Sequence, residues 1–182
     1  MLKYYEMFKK VGENLKEIPL LGSRFILAYA FWITGMMKWN NIEGTAWWFG
    51  SLGIPFPLMN AYISATVEVL GCFLLILGLG TRIITIPLII IMFVAIATVH
   101  ASHGWLAIAS GEWPEVAMRL GKAKDLLKEH GNYEWLTETG SFVVLNNGVE
   151  FVVTYIFMLM FLWALGPGKF SIDYFISNRK SK

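Results

Sequence analysis

Four stretches of this chain run almost unbroken by charge: about 19–38, 57–79, 83–100 and 145–165. Each approaches the roughly 20 apolar residues that a helix needs to cross a bilayer. They are apolar nearly all round, so periodicity cannot orient them and their few polar residues must. Residues 1–18 follow a different pattern. Tyr4, Phe8, Val11, Leu15 and Ile18 repeat at three and four, while Lys3, Lys10, Glu13 and Glu17 lie off that face. This spacing predicts an amphipathic helix resting on the membrane surface. A signal peptide fits less well, because the apolar run that follows carries Arg24 and ends in Met-Met-Lys-Trp rather than at a small-residue cleavage site.

Between these segments the connections differ in kind. Residues 40–56 read as a short aromatic loop with Trp47, Trp48, Phe49 and Phe56, and residues 78–82 read as a tight turn. Residues 101–144 form a long connection with six acids against four bases. Within it Trp113, Val116, Leu120, Ala123 and Leu127 share a helical face, and Gly131 supplies a stop. The expected fold is therefore an all-α membrane protein, residues 1–182 forming one domain. It is a bundle of four transmembrane helices with an amphipathic N-terminal helix and a helical extracytoplasmic loop.

Composition agrees. Of 182 residues, 56% are hydrophobic and only 15% charged, with a mean hydropathy of +0.55. Soluble domains carry roughly 25% charged residues. A soluble fold of this size cannot hide so much apolar side chain. A net charge of +2 with no basic stripe argues against nucleic acid as a partner. Cys72 is the one cysteine, which excludes an intramolecular disulfide and a CxxC redox pair. Lysine and arginine placement sets the orientation. Lys3, Lys9, Lys10, Lys16, Arg82, Lys169, Arg179, Lys180 and Lys182 share one side, which places both termini in the cytoplasm and residues 101–144 outside.

Ionisable groups within a bilayer are costly, so each is a functional candidate. Glu68 lies near the middle of the second apolar segment. A carboxyl there suits proton relay, or it pairs with Arg24 or Arg82 and fixes helix packing. Arg24 is the deeper arginine and the favoured partner, whereas Arg82 can snorkel to lipid phosphates. Helix directions then bring Lys38, His100, His103, Asn146, Asn147 and Glu150 to one depth on the outer side, under Trp47 and Trp48. That set suits a quinone: Lys38, His100 and Glu150 offer donors and proton acceptors, and Trp48 a flat surface. It also admits copper or zinc, with His100, His103 and Glu150 as ligands. Cys72, one turn after Glu68, reads as inert packing. Gly71 and Pro87 read as close-packing and kink residues.

Several of these residues occur in a recognisable order. Arg24, Gly35-Met36-Met37-Lys38, Glu68-Val69-Leu70-Gly71, residues 74–78, Thr81-Arg82 and His100 resemble the DoxX family of small four-helix membrane proteins. His103-Gly104-Trp105, residues 139–151 and the long third loop resemble its HvfX-type subgroup, which is associated with maturation of copper-binding modified peptides. The resemblance implies an inner-membrane protein. The wider family includes a DoxD-like subunit of thiosulfate:quinone oxidoreductase, so the resemblance also implies a link to the quinone pool. By motif position Arg24, Lys38, Glu68, Arg82 and His100 inherit the family's polar set. The leading expectation is a quinone-linked redox subunit serving an extracytoplasmic or peptide-maturation partner. The alternative is a metal-handling or scaffolding membrane protein.

Overall fold

The computed structural model describes residues 2–180. Lys182 lies outside the described residues, as do the side chains of Lys3 and Lys180. The chain divides into two compact units, residues 1–94 with 154–182, and residues 95–153.

The first unit holds α1 (Leu2–Leu15), α2 (Glu17–Asn40), α3 (Ile42–Ser51), α4 (Pro57–Leu77), most of α5 (Thr81–Ala95), most of α8 (Glu150–Leu165) and α9 (Ile172–Lys180). Among the described residues, three helical stretches are long and apolar enough to cross a membrane: Tyr4–Asn40, Pro57–Leu77 and Thr81–His103. The fourth apolar helix, α8, has 16 residues and starts at Glu150 rather than near Leu145. At 1.5 Å per residue it is about 24 Å long, short of a hydrocarbon core of about 30 Å.

Local chemistry explains the boundaries. Pro57 opens α4, where its missing amide costs nothing. Gly78 closes it in the left-handed conformation, φ 62°, with its amide on the Leu75 carbonyl and that of Leu79 on Leu74. The tight turn expected at 78–82 is thus present. The aromatic loop expected at 40–56 is instead largely the helix α3. Asn41 caps it, its side-chain oxygen accepting the Gly44 amide at 3.1 Å. The capping residue outweighs the Gly and Trp content that suggested a loop.

This unit is apolar on its outside as well as in its core. Leu20, Leu27 and Phe31 of α2, Cys72 and Leu75 of α4, Ile84 and Leu88 of α5, and Leu159 and Leu162 of α8 form the interior. Arg24, Ser64, Glu68, Thr81 and Thr85 are buried with them. Phe25, Ile33, Phe73, Ile86, Phe93 and Phe161 point outward, as lipid-facing residues should. Gly71 has the close-packing role expected of it, since a Cβ there would sit 3.0 Å from Leu88. On α1, Tyr4, Phe8, Val11 and Leu15 are exposed, leaving that apolar face uncovered by protein.

The second unit begins where α5 continues as a π-turn, Ile96–His100, and a 3₁₀ turn, Ala101–His103. It contains α6 (Pro114–His130) and α7 (Tyr133–Thr137). The expected helix in the long connection is α6, and Gly131 ends it with its amide on the Leu127 carbonyl. Asn146 and Asn147 precede α8 in an irregular segment rather than opening a helix. The reason is local: Leu145 bridges to Ile108, and Asn147 adopts φ 59°.

Candidate functional site

The first unit buries an ion pair between α2 and α4. Lys38 Nζ lies 2.8 and 2.7 Å from the two carboxylate oxygens of Glu68. Glu68 also accepts from the Thr34 hydroxyl at 2.7 Å and the Ser64 hydroxyl at 3.1 Å. Its carboxylate therefore accepts four hydrogen bonds while only 1% exposed. Helical spacing assembles the set. Thr34 and Lys38 are four apart on α2, and Ser64 and Glu68 are four apart on α4, so each pair shares a face. Gly35 lets the two backbones approach: a Cβ there would lie 3.0 Å from Glu68 Cβ and 3.1 Å from the Val69 amide nitrogen.

This corrects the expected partner of Glu68. Arg24 does not reach it. Its guanidinium is 2% exposed and donates to four backbone carbonyls, those of Leu75 (2.7 Å), Ile76 (2.6 Å), Pro167 (3.0 Å) and Phe170 (2.6 Å). The cause is position along the rods. Arg24 and Lys38 are 14 residues apart on α2, about 21 Å. One carboxylate cannot serve both ends of that span. Arg24 meets the end of α4, where the last carbonyls of a helix lack intrahelical donors. Arg82 is not a partner of Glu68 either; it is exposed and donates to the Ala164 carbonyl at 3.3 Å.

Trp47 and Trp48 lie on α3, 77% and 42% exposed, with Trp48 tilted against Phe49 at 5.6 Å. Trp47 lines a shallow groove with Ala46, Gly50, Pro57 and Leu58, about 450 Å³ in volume.

The remaining candidates belong to the second unit. His100 Nδ1 is 2.8 Å from the Asn147 carbonyl, and His103 Nδ1 is 2.8 Å from that of Val99. A carbonyl only accepts, so in each of these contacts Nδ1 is the donor. The π-turn that ends in His100 is a feature often found at functional sites. Asn146 donates to the carbonyls of His103 (2.5 Å) and Leu106 (3.0 Å), and Glu150 accepts the Ala107 amide at 3.1 Å. Gly148 sits in the same weave, its amide on the Leu106 carbonyl; a Cβ there would lie 2.5–2.7 Å from three carbonyl oxygens. Asn146 and Glu150 thus lock residues 103–107 to 145–150. Among the described residues no three His, Cys, Asp or Glu side chains gather into a metal-binding group. His100, His103 and Glu150 are accordingly not assembled as the three-ligand set that spacing suggested: each is turned to its own backbone partner.

Sequence reasoning missed Thr34 and Ser64, although their spacing of four from Lys38 and Glu68 carries the signal. It also missed Asp173, whose carboxylate accepts the amides of Gly80 (2.8 Å) and Thr81 (3.0 Å) at the start of α5.

The DoxX family profile matches residues 19–101, a range that contains Arg24, Lys38, Glu68, Arg82 and His100. The chain is 37% identical over 97 residues to a Bacillus subtilis protein named "Putative oxidoreductase CatD", covering 53% of this chain and 71% of that one. It is 32% identical over 102 residues to an uncharacterized protein of Haemophilus influenzae, covering 52% and 65%. It is 30% identical over 90 residues to the inner membrane protein YphA of Escherichia coli, covering 50% and 63%. No solved structure matches the chain.

Proposed function

The chain belongs to the DoxX family of membrane proteins, and on that premise we propose that it is a quinone-interacting redox subunit of the bacterial inner membrane. The observation that carries this reading is the Lys38–Glu68 pair. Glu68 is saturated by four hydrogen bonds, whereas Lys38 is 15% exposed and donates two of its three protons to Glu68. The third suits a quinone carbonyl, which needs a donor fixed in an apolar setting. Glu68 holds the ammonium in place and balances its charge. Trp47 offers a ring surface in its groove. The oxidoreductase name of the Bacillus subtilis relative agrees with redox work.

Service to a partner outside the membrane, with both termini in the cytoplasm, completes the reading. The finer placement in the HvfX-type branch rests on residues 103–105 and 139–151, beyond the family match. Residues 103–107, which include the first of these segments, interlock with 145–150 of the second, which supports treating them as a functional unit. Copper or zinc handling has less support, because among the described residues no three His, Cys, Asp or Glu side chains gather into a metal-binding group.

The test is binding of a short-tailed quinone analogue to the purified protein. Loss of a hydrogen bond from a charged donor should weaken binding about tenfold or more in Lys38→Ala. An affinity unchanged by Lys38→Ala would overturn the site. Stoichiometric copper or zinc lost in His100→Ala but kept in Lys38→Ala, with no quinone binding, would replace this reading with the metal-handling one.

A further inference from the structure

At the other end of the first unit, a cleft of about 620 Å³ opens where α2 and α5 begin and α8 ends. Its wall is mostly apolar, with Leu20, Ile83 and Leu165, and its mouth carries Lys16, Arg82 and Lys169. Two acids also line it, yet both are turned to backbone. Asp173 holds the Gly80 and Thr81 amides, one on each oxygen. Glu17 accepts the Lys169 amide at 2.6 Å. Among the described residues, no carboxylate is in ion-pair contact with Lys16, Arg82 or Lys169. Arg82 spends one of five donors on the Ala164 carbonyl, which holds its guanidinium over the end of α8. The result is an apolar slot rimmed by three exposed cations, at the depth where membrane helices end and lipid headgroups lie.

We propose that this cleft is a binding site for one anionic phospholipid, its phosphodiester on Arg82, Lys169 and Lys16 and the start of an acyl chain along Leu20, Ile83 and Leu165. The charge arrangement selects the ligand class. A zwitterionic headgroup brings its own cation to a rim that already has three. A free phosphate lacks the chain that fills the apolar wall. The volume lies within the range of small-molecule pockets and exceeds what a bare anion occupies. Arg82, held on the Ala164 carbonyl beside an apolar wall, distinguishes this site from the diffuse attraction of lysines to an anionic surface.

Detergent-purified protein is titrated with dioctanoyl phosphatidylglycerol, dioctanoyl phosphatidylcholine or inorganic phosphate. Retained adducts are counted by native mass spectrometry, and the unfolding midpoint is followed with a thiol-reactive dye on Cys72. Phosphatidylglycerol should bind one to one and raise the midpoint, as any ligand of the folded state does. Arg82→Gln with Lys169→Gln should weaken it about tenfold to thirtyfold. Lys9→Gln with Lys10→Gln, which removes two α1 lysines outside the cleft, should leave the affinity unchanged. An unshifted midpoint of the lipid-free Arg82→Gln/Lys169→Gln protein shows that its fold is intact; if the pair unfolds it, Lys169→Gln alone should weaken binding about fivefold. Equal binding of phosphatidylcholine would overturn the proposal, as would inorganic phosphate binding as tightly as the lipid. Equal losses from the α1 pair and the cleft pair would overturn it too. Quinone-analogue binding should be untouched by Lys169→Gln, so failure here is distinguishable from failure of the functional reading.

Discussion

Removing Lys38 should destabilise the protein more than neutralising Glu68, and removing both should cost less than the sum. In Lys38→Met the carboxylate of Glu68 stays at 1% exposure with only the Thr34 and Ser64 hydroxyls for partners. Stripping one member from a buried pair costs about 3–5 kcal/mol. In Glu68→Gln the amide keeps the shape and can still accept from Thr34 or Ser64. The orphaned ammonium of Lys38 is already 15% exposed and lies two residues from the end of α2, so it can extend outward. Its loss should therefore be smaller. In the double variant no buried charge is left alone, and the coupling should fall in the range of about 0.5–3 kcal/mol. For a chain of this size about 2–4 °C accompanies each kcal/mol, so Lys38→Met should lower the midpoint by about 6–20 °C. The protein carries its own reporter. Cys72 is its one cysteine and is 4% exposed, so a thiol-reactive dye signals unfolding directly. Strict additivity of the two changes, or a larger loss from Glu68→Gln than from Lys38→Met, would refute the reasoning.

Arg24→Ala should also lower the midpoint strongly, since it takes a donor from each of the carbonyls of Leu75, Ile76, Pro167 and Phe170, but its effect should add to that of Glu68→Gln within about 0.5 kcal/mol. Gly148→Ala should disrupt residues 103–107 and 145–150, because its Cβ would meet three carbonyl oxygens; faster amide exchange there, with the Cys72 midpoint little changed, is the expected result. Gly35→Ala should weaken the pairing of α2 with α4 at Glu68, measured as a lower midpoint and weaker quinone-analogue binding. A reporter fused after Lys182 should behave as cytoplasmic and one inserted at Gly131 as external; the reverse pattern would invert the assigned orientation.

What the sequence determines by itself is the solvent and the rods. Long apolar runs with so few charges are suited to lipid, and there to helices, because backbone groups in lipid must bond within the segment. The stops are equally local: Pro57 opening α4, Gly78 in a left-handed cap and Gly131 after α6 all follow from backbone preferences of single residues. The polar candidates were legible for the same reason, since a charge in an apolar run stands out. Their partners were not. Depth estimates made Arg24 the natural mate of Glu68, but pairing depends on which heights of α2 and α4 face each other. That offset is set by the close approach at Gly35 and by the open carbonyls at the end of α4, which only the folded bundle brings to Arg24. His100 and Glu150 show the same division. Their chemistry is written in their side chains, but the backbone of Asn147 and Ala107 decides which way each one turns. A side chain's type is a local property, whereas its partner is whatever the packed structure places within about 3 Å of it.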